Sequence, residues 1–145
     1  ITFAYSTISF ISFPWAPAFI TTAPPIVPGI PDKKWMFYLT RSYYEPLIKV
    51  GVKIYEYSPG FMHAKMVVTD DNTAIVGTTN FDFRSLYLHF ECGAIIHNSK
   101  TVASIKQDFD NIIGTSHQMT LRDVKQRKWY EKFSAQILKF FAPLM

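Results

Sequence analysis

The sequence predicts an α/β fold in one domain, and three observations predict it. Short alternating runs rich in β-branched and aromatic residues recur between Val52 and His97. Stretches with apolar residues three and four apart lie on either side of them. At 145 residues, 48% hydrophobic and 17% aromatic, the chain has material for one core but not for two sizeable domains.

The elements follow in order. Ile1 to Pro31 carries no charged residue and holds six of the nine prolines. Interior prolines argue against a membrane-spanning helix, and the lack of a basic start argues against a signal peptide. Irregular or strand-like chain packed on the rest is expected there. From Asp32 the texture changes. Trp35, Leu39, Tyr43, Leu47 and Val50 form one helical stripe, with a kink or restart at Pro46 and a stop at Gly51. Val52 to Tyr57 reads as a strand, and Ser58-Pro59-Gly60 as a turn. His63 to Thr69 reads as a second strand, Asp70-Asp71-Asn72 as a turn, Thr73 to Gly77 as a third strand and Phe90 to His97 as a fourth. Asn98 or Ser99 caps a helix with Val102, Ile105, Phe109 and Ile112 on one face. A last helix is expected from about Leu121 to Phe141, with Phe133, Ile137 and Phe141 inward. Together these suggest a layered α/β or α+β sandwich.

Charge and cysteine content narrow the chemistry. The net charge of +4 favours anionic partners such as phosphate or acidic lipid, and is too small to indicate nucleic acid. The single cysteine, Cys92, excludes an internal disulfide and a multi-cysteine zinc site. From Gln118 onward, Arg122, Lys125, Arg127, Lys128, Lys132 and Lys139 outnumber Asp123 and Glu131. With Phe133, Phe140 and Phe141, this stretch fits an anionic lipid surface or, as the commoner case, a core-packed helix with a solvated basic face.

The candidate site lies in Pro59 to Ser85, "PGFMHAKMVVTDDNTAIVGTTNFDFRS". Residues two apart on a strand share a face, so His63 and Lys65 are expected to point the same way, opposite Met66 and Val68. Thr78 and Asn80 are also two apart, just past the third strand. If that strand pairs with the second, all four polar groups meet. Lysine supplies fixed charge for a phosphate oxygen, and hydroxyl and amide groups donate to the others. Imidazole can attack phosphorus or pass a proton near neutral pH. Such a histidine needs its second nitrogen held by an acceptor, and Glu91 is the candidate. His89, His97 and His117 read as ordinary surface or satisfied histidines.

The pattern His63-x-Lys65-x4-Asp70-x6-Gly77-Thr78-x-Asn80 resembles the HKD motif of the phospholipase D superfamily. "PGIPDKKWMFYLTRSYYEPLIKVGVKIYEYSPGFMHAK", "NFDFRSLYLHFECGAIIHNS" and the ending "ILKFFAPLM" are similar to the C-terminal half of bacterial cardiolipin synthases. The resemblance runs from about Ile26 to Met145. It implies a phospholipase D-like α-β-α sandwich, one half of a two-half enzyme, with residues 1–25 a divergent apolar, proline-rich segment. It also implies phosphatidyl transfer between two phosphatidylglycerols through a phosphohistidine, giving cardiolipin and glycerol at a cell membrane, with no cofactor and no metal. His63 would be nucleophile or proton donor. Lys65 and Asn80 would hold the phosphate, Thr78 would stand where serine is usual, and Glu91 would orient the histidine. Asp70 belongs to the motif and, by parity, falls on the other face, which suggests a structural role. Family members carry two such motifs across one site, whereas this sequence holds one. A truncated enzyme, a homodimer that rebuilds the site, and an inactive remnant needing a partner half all fit. The alternative activity is a homodimeric single-motif phosphodiesterase or nuclease, although the sequence outside the motif reads like the lipid enzymes and no nucleic-acid partner is expected.

Overall fold

A computed structural model describes residues 24–69, 71–80 and 84–141. Among the described residues, six strands fall into two three-stranded sheets, each with its own apolar cluster.

The first sheet joins β1 (Ile26–Pro28), β2 (Ile54–Tyr57) and β6 (His117–Met119) in the order β1-β2-β6. β1 runs parallel to β2, and β6 antiparallel. Between β1 and β2 come α1 (Lys34–Ser42) and α2 (Tyr44–Lys49). The expected restart at Pro46 is present: the helix breaks at Tyr43, and Pro46 falls in the first turn of α2, where its missing N–H costs nothing. Gly51 ends α2 in the left-handed region at φ +95. Its N–H donates to Ile48 O at 3.0 Å and that of Val52 to Leu47 O at 3.0 Å, a Schellman closure. Of the predicted stripe, Leu39 and Leu47 are buried, whereas Trp35, Tyr43 and Val50 are exposed.

Alternation on β2 turns Ile54 and Glu56 inward together. Ile54 joins Tyr44, Leu47, Val52, Met119 and Val124 in the core, at about 1.5–3 kcal/mol per fully buried aliphatic side chain. Glu56 brings a carboxylate into the same layer and must be paired there. Arg41 donates to it through Nε at 2.8 Å and Nη2 at 2.6 Å, and the Tyr44 hydroxyl adds a third bond at 3.1 Å. Burial and the adjoining Glu56 hold the Tyr44 phenol well above its usual range, so it stays a donor.

The second sheet is an antiparallel meander of β3 (Met66–Thr69), β4 (Thr73–Gly77) and β5 (Gly93–His97). Asp71 takes the turn between β3 and β4 at φ 56, the left-handed region that Asp and Asn tolerate. Val68, Ala74 and Ile96 stand opposite one another and pack on Val102, Ile105 and Phe109 of α3 (Lys100–Gly114). Of the two predicted caps it is Ser99 that serves, accepting from Thr101 N at 3.2 Å. The other face of this sheet carries Val67, Ile75 and Ile95 in register, with Ile75 and Ile95 exposed.

Several expectations need correction. The second strand begins at Met66 rather than His63, the first predicted strand at Ile54 rather than Val52, and the fourth at Gly93 rather than Phe90. The single C-terminal helix is two, α4 (Leu121–Lys125) and α5 (Trp129–Phe141). Thr120 starts α4 with a capping box: its hydroxyl accepts from Asp123 N at 3.3 Å while Asp123 accepts from Thr120 N at 2.8 Å. Phe133 and Ile137 face outward, not inward, because α5 seats Ala135 on the fold instead. Phe141's side chain and nearly all of the segment 1–25 lie outside the described residues.

Candidate active site

Three chain ends of the second sheet meet at one edge. The β3–β4 ladder continues one bond past Met66, with Gly77 N donating to Lys65 O at 3.1 Å. The β4–β5 ladder likewise continues, with Thr78 N donating to Cys92 O at 3.0 Å. Register therefore collects His63 and Lys65 just before β3, Thr78 and Asn80 just after β4, and Glu91 just before β5. Gly77 makes the closeness possible: a Cβ there would lie 2.7 Å from Cys92 O and 2.9 Å from the Gly93 Cα.

Lys65 is buried although it precedes the strand. Its Nζ donates to His63 O at 3.0 Å and lies 3.2 Å from Nδ1 and 3.1 Å from Nε2 of the His63 ring. A neutral imidazole offers one lone pair for such a contact. Burial pulls the Lys65 ammonium below its usual value, and the charge of Glu91 opposes that shift. His63 itself is exposed and stacks on Phe61 with centroids 6.0 Å apart. Phe61, Tyr87, Leu88 and Phe90 are all exposed, so large apolar side chains flank both chain segments that carry the site.

Glu91 does not hold the histidine as expected. Its two oxygens accept from the hydroxyls of Thr78 and Ser85. These bonds, Ser85 first and Thr78 second, hold its carboxyl below the usual range. Thr78 is committed in the same way: besides Glu91 it reaches Cys92 O at 3.4 Å, and it accepts from Cys92 N at 3.1 Å. As placed, its hydroxyl steadies the sheet edge rather than facing a ligand. Asn80 enters through its backbone N–H, which donates to Ser85 Oγ at 3.0 Å. Asp70 lies outside the described residues.

Ser85 is the residue that sequence reasoning passed over. It is buried at the start of a short π-helical turn, Arg84–Leu88, and links Asn80 to Glu91. It closed the quoted motif stretch, but a serine after an arginine carries no periodic signal. The contact shows only in three dimensions. No group of three or more His, Cys, Asp or Glu side chains among the described residues could hold a metal ion.

The edge thus holds an imidazole beside a buried ammonium, and a carboxylate set by two hydroxyls. An anionic oxygen could be held by the ammonium while the exposed ring attacks or protonates.

Comparison with known proteins gives the chain a family. Residues 22–113, which include every site residue above, match the family described as cardiolipin synthase, PLD-like domain. An uncharacterized protein of Streptococcus mutans is 43% identical over 83% of this chain and 26% of its own length. A cardiolipin synthase of Clostridium perfringens is 37% identical over 83% of this chain and 25% of its own length, and one of Halalkalibacterium halodurans 35% over 83% and 24%. The chain spans about a quarter of the length of the relatives it matches. With more than half of its residues inside the family match, the chain belongs to the cardiolipin synthase, PLD-like domain family.

Proposed function

We propose that residues 26–145 form the C-terminal half of a cardiolipin synthase-type phosphatidyltransferase and supply one of its two phosphohistidine motifs. The observation that carries this reading is the exposed His63 imidazole against the buried Lys65 ammonium at the β3–β4–β5 edge. In the proposed reaction a His63 ring nitrogen bonds to the phosphorus of one phosphatidylglycerol, and the P–O bond to its headgroup glycerol breaks. The departing alkoxide takes a proton from the acid of the other half. The glycerol hydroxyl of a second phosphatidylglycerol then attacks phosphorus and gives up its proton to that same group. The P–N bond breaks, and cardiolipin results. Lys65, with the side-chain amide of Asn80, balances charge on the phosphoryl oxygens. Asp70, the remaining member of the motif, has a structural role in this reading. Either histidine of the pair can be the one that attacks. No metal or cofactor takes part.

The second histidine comes from a partner half, either the remainder of a longer chain or a second copy. The open apolar face of Val67, Ile75 and Ile95 supports such a partner, since it lies on the sheet that carries the site. The active enzyme works at the cell membrane, where its substrate lies. Among the described residues no helix is long and apolar enough to cross a membrane.

The reading is tested with labelled phosphatidylglycerol and, separately, a nucleic-acid phosphodiester, using the chain alone and with a candidate partner half, as wild type and His63→Ala. Cardiolipin formed by the wild type and lost in the variant supports it. Cleavage of nucleic acid by a dimer favours the phosphodiesterase reading instead. No turnover under any of these conditions marks an inactive remnant.

A further inference from the structure

We infer that the outer face of α5, with Trp35 of α1 beside it, is a docking surface for an anionic phospholipid bilayer. α5 rests on α1 through its other side, where Ala135 is fully buried and Leu138 half-buried. At 3.6 residues per turn, Trp129, Phe140, Phe133, Ile137 and Tyr130 fall within about 100° of the helix circumference. That arc is left open to solvent: Trp129 is 76% exposed, Phe133 64%, Ile137 49% and Phe140 82%. Ile137 continues into a groove of about 430 Å³ shared with Lys34, Trp35, Tyr38, Ser134 and Leu138. The face therefore spans two helices, and it is larger than the scattered apolar side chains of an ordinary surface.

Charge identifies the occupant. Exposed Lys132 borders the arc on one side, and exposed Lys34 lines the groove on the other. Lys128 lies 5.7 Å from the Tyr130 ring centroid at the start of the helix. Lys132 spends one donor on Lys125 O at 3.0 Å and keeps others free for a headgroup oxygen. The acidic groups nearby are exposed Asp32, half-buried Glu131 and Glu45, which feels the charge of Lys132 but is itself paired with Lys49 at 2.7 Å, so positive charge prevails along the rim. Tryptophan, tyrosine and phenylalanine flanked by lysines suit the boundary between headgroups and acyl chains, where rings are half-wetted and ammonium groups meet phosphates. The preference for lipid over protein as the occupant rests on the lipid-enzyme reading above. The measurement, however, needs no turnover, so the two can fail separately.

The test is flotation of the full chain with vesicles of phosphatidylglycerol and, separately, of phosphatidylcholine, at low and at physiological salt. Binding to phosphatidylglycerol should be about tenfold or more stronger, and weakened by salt. Phe133→Ser with Phe140→Ser should lower it about tenfold or more while circular dichroism stays unchanged. Lys132→Glu should lower binding to phosphatidylglycerol alone. Brominated acyl chains should quench tryptophan fluorescence, and Trp129→Phe together with Trp35→Phe should remove most of the quenched signal. Equal binding in the phenylalanine variant, no quenching despite binding, or no flotation at all would overturn the proposal. So would a self-associated wild type that the same variant dissolves into monomers while neither protein binds vesicles, because the face would then belong to a second copy.

Discussion

Two carboxylates, Glu56 on the central strand β2 and Glu91 just before the edge strand β5, are treated in opposite ways. Glu56 is buried and met by the fork of Arg41 and the Tyr44 hydroxyl, so its charge is neutralised where it sits. Glu91 is held by two neutral hydroxyls at a partly open edge, and the nearby cation, Lys65, reaches the His63 ring instead. A charge matched by its own fold has its counter-charge already engaged, and removing either partner is costly. A charge set by hydroxyls, with a separate ammonium beside it, leaves cationic capacity for a ligand. On the proposed reading the first sheet is therefore the anchor, and the second carries the chemistry.

The largest expected effect separates the two. His63→Ala should lower phosphatidyl transfer by at least about a thousandfold, since a nucleophile or acid has no substitute. The thermal midpoint should stay within about a degree or two, because the ring is exposed and an exposed substitution rarely costs more than about 0.5 kcal/mol. A large loss of stability in this variant would move His63 to the anchor class. Glu56→Gln should do the reverse. It leaves Arg41 beside a neutral amide in a partly buried setting and should cost about 2–3 kcal/mol in denaturant unfolding. Transfer per folded molecule should be retained. An equal loss of both quantities in either variant would break the division.

Ser85→Ala tests the boundary between the classes. Ser85 is buried yet linked to Glu91, so its removal should loosen the carboxylate without removing a reacting group. Outer partners of this kind cost about 10- to 100-fold when lost, and the loss should fall on kcat with KM little changed. Ser85→Thr, which keeps the hydroxyl, should recover part of it. A change confined to KM would place Ser85 in substrate binding.

The sequence showed the second sheet more clearly than the first, for a physical reason. A hairpin with an Asp-Asn turn, a glycine at a close strand crossing and a serine-capped amphipathic helix each leave local marks, and β3, β4 and α3 lie near their expected places. β6 left none, because it is three residues long and only Met119 is buried. The Thr120-x-x-Asp123 box was readable in principle, and it marks the helix start that divides the C-terminal stretch. Phe133 and Ile137 show a deeper limit. Spacing by four says that side chains share a face, but not whether that face meets protein or solvent. The gathering of the candidate residues at one end of the second sheet was legible because their spacing is tied to strand register. The direction of each hydrogen bond was not, and Glu91 was assigned to His63 when its partners are Thr78 and Ser85.

The smallest effect is an acid-side one, and it tests Glu91 as a carboxylate set by hydroxyls. Ser85, then Thr78, hold its carboxyl below the usual range in the folded chain. A carboxyl lowered by folding adds stability that is fully present above its unfolded value, about 4.3, and is lost as pH falls through the folded value. Ser85→Ala removes the larger of these causes. The stability gap between wild type and variant should therefore be flat above about pH 5 and narrow as pH drops below about 4. Urea unfolding at a series of pH values would show it. A gap that stays constant down to the acid limit would mean that Ser85 contributes by packing alone, and Glu91 would lose its distinction from an ordinary surface carboxylate.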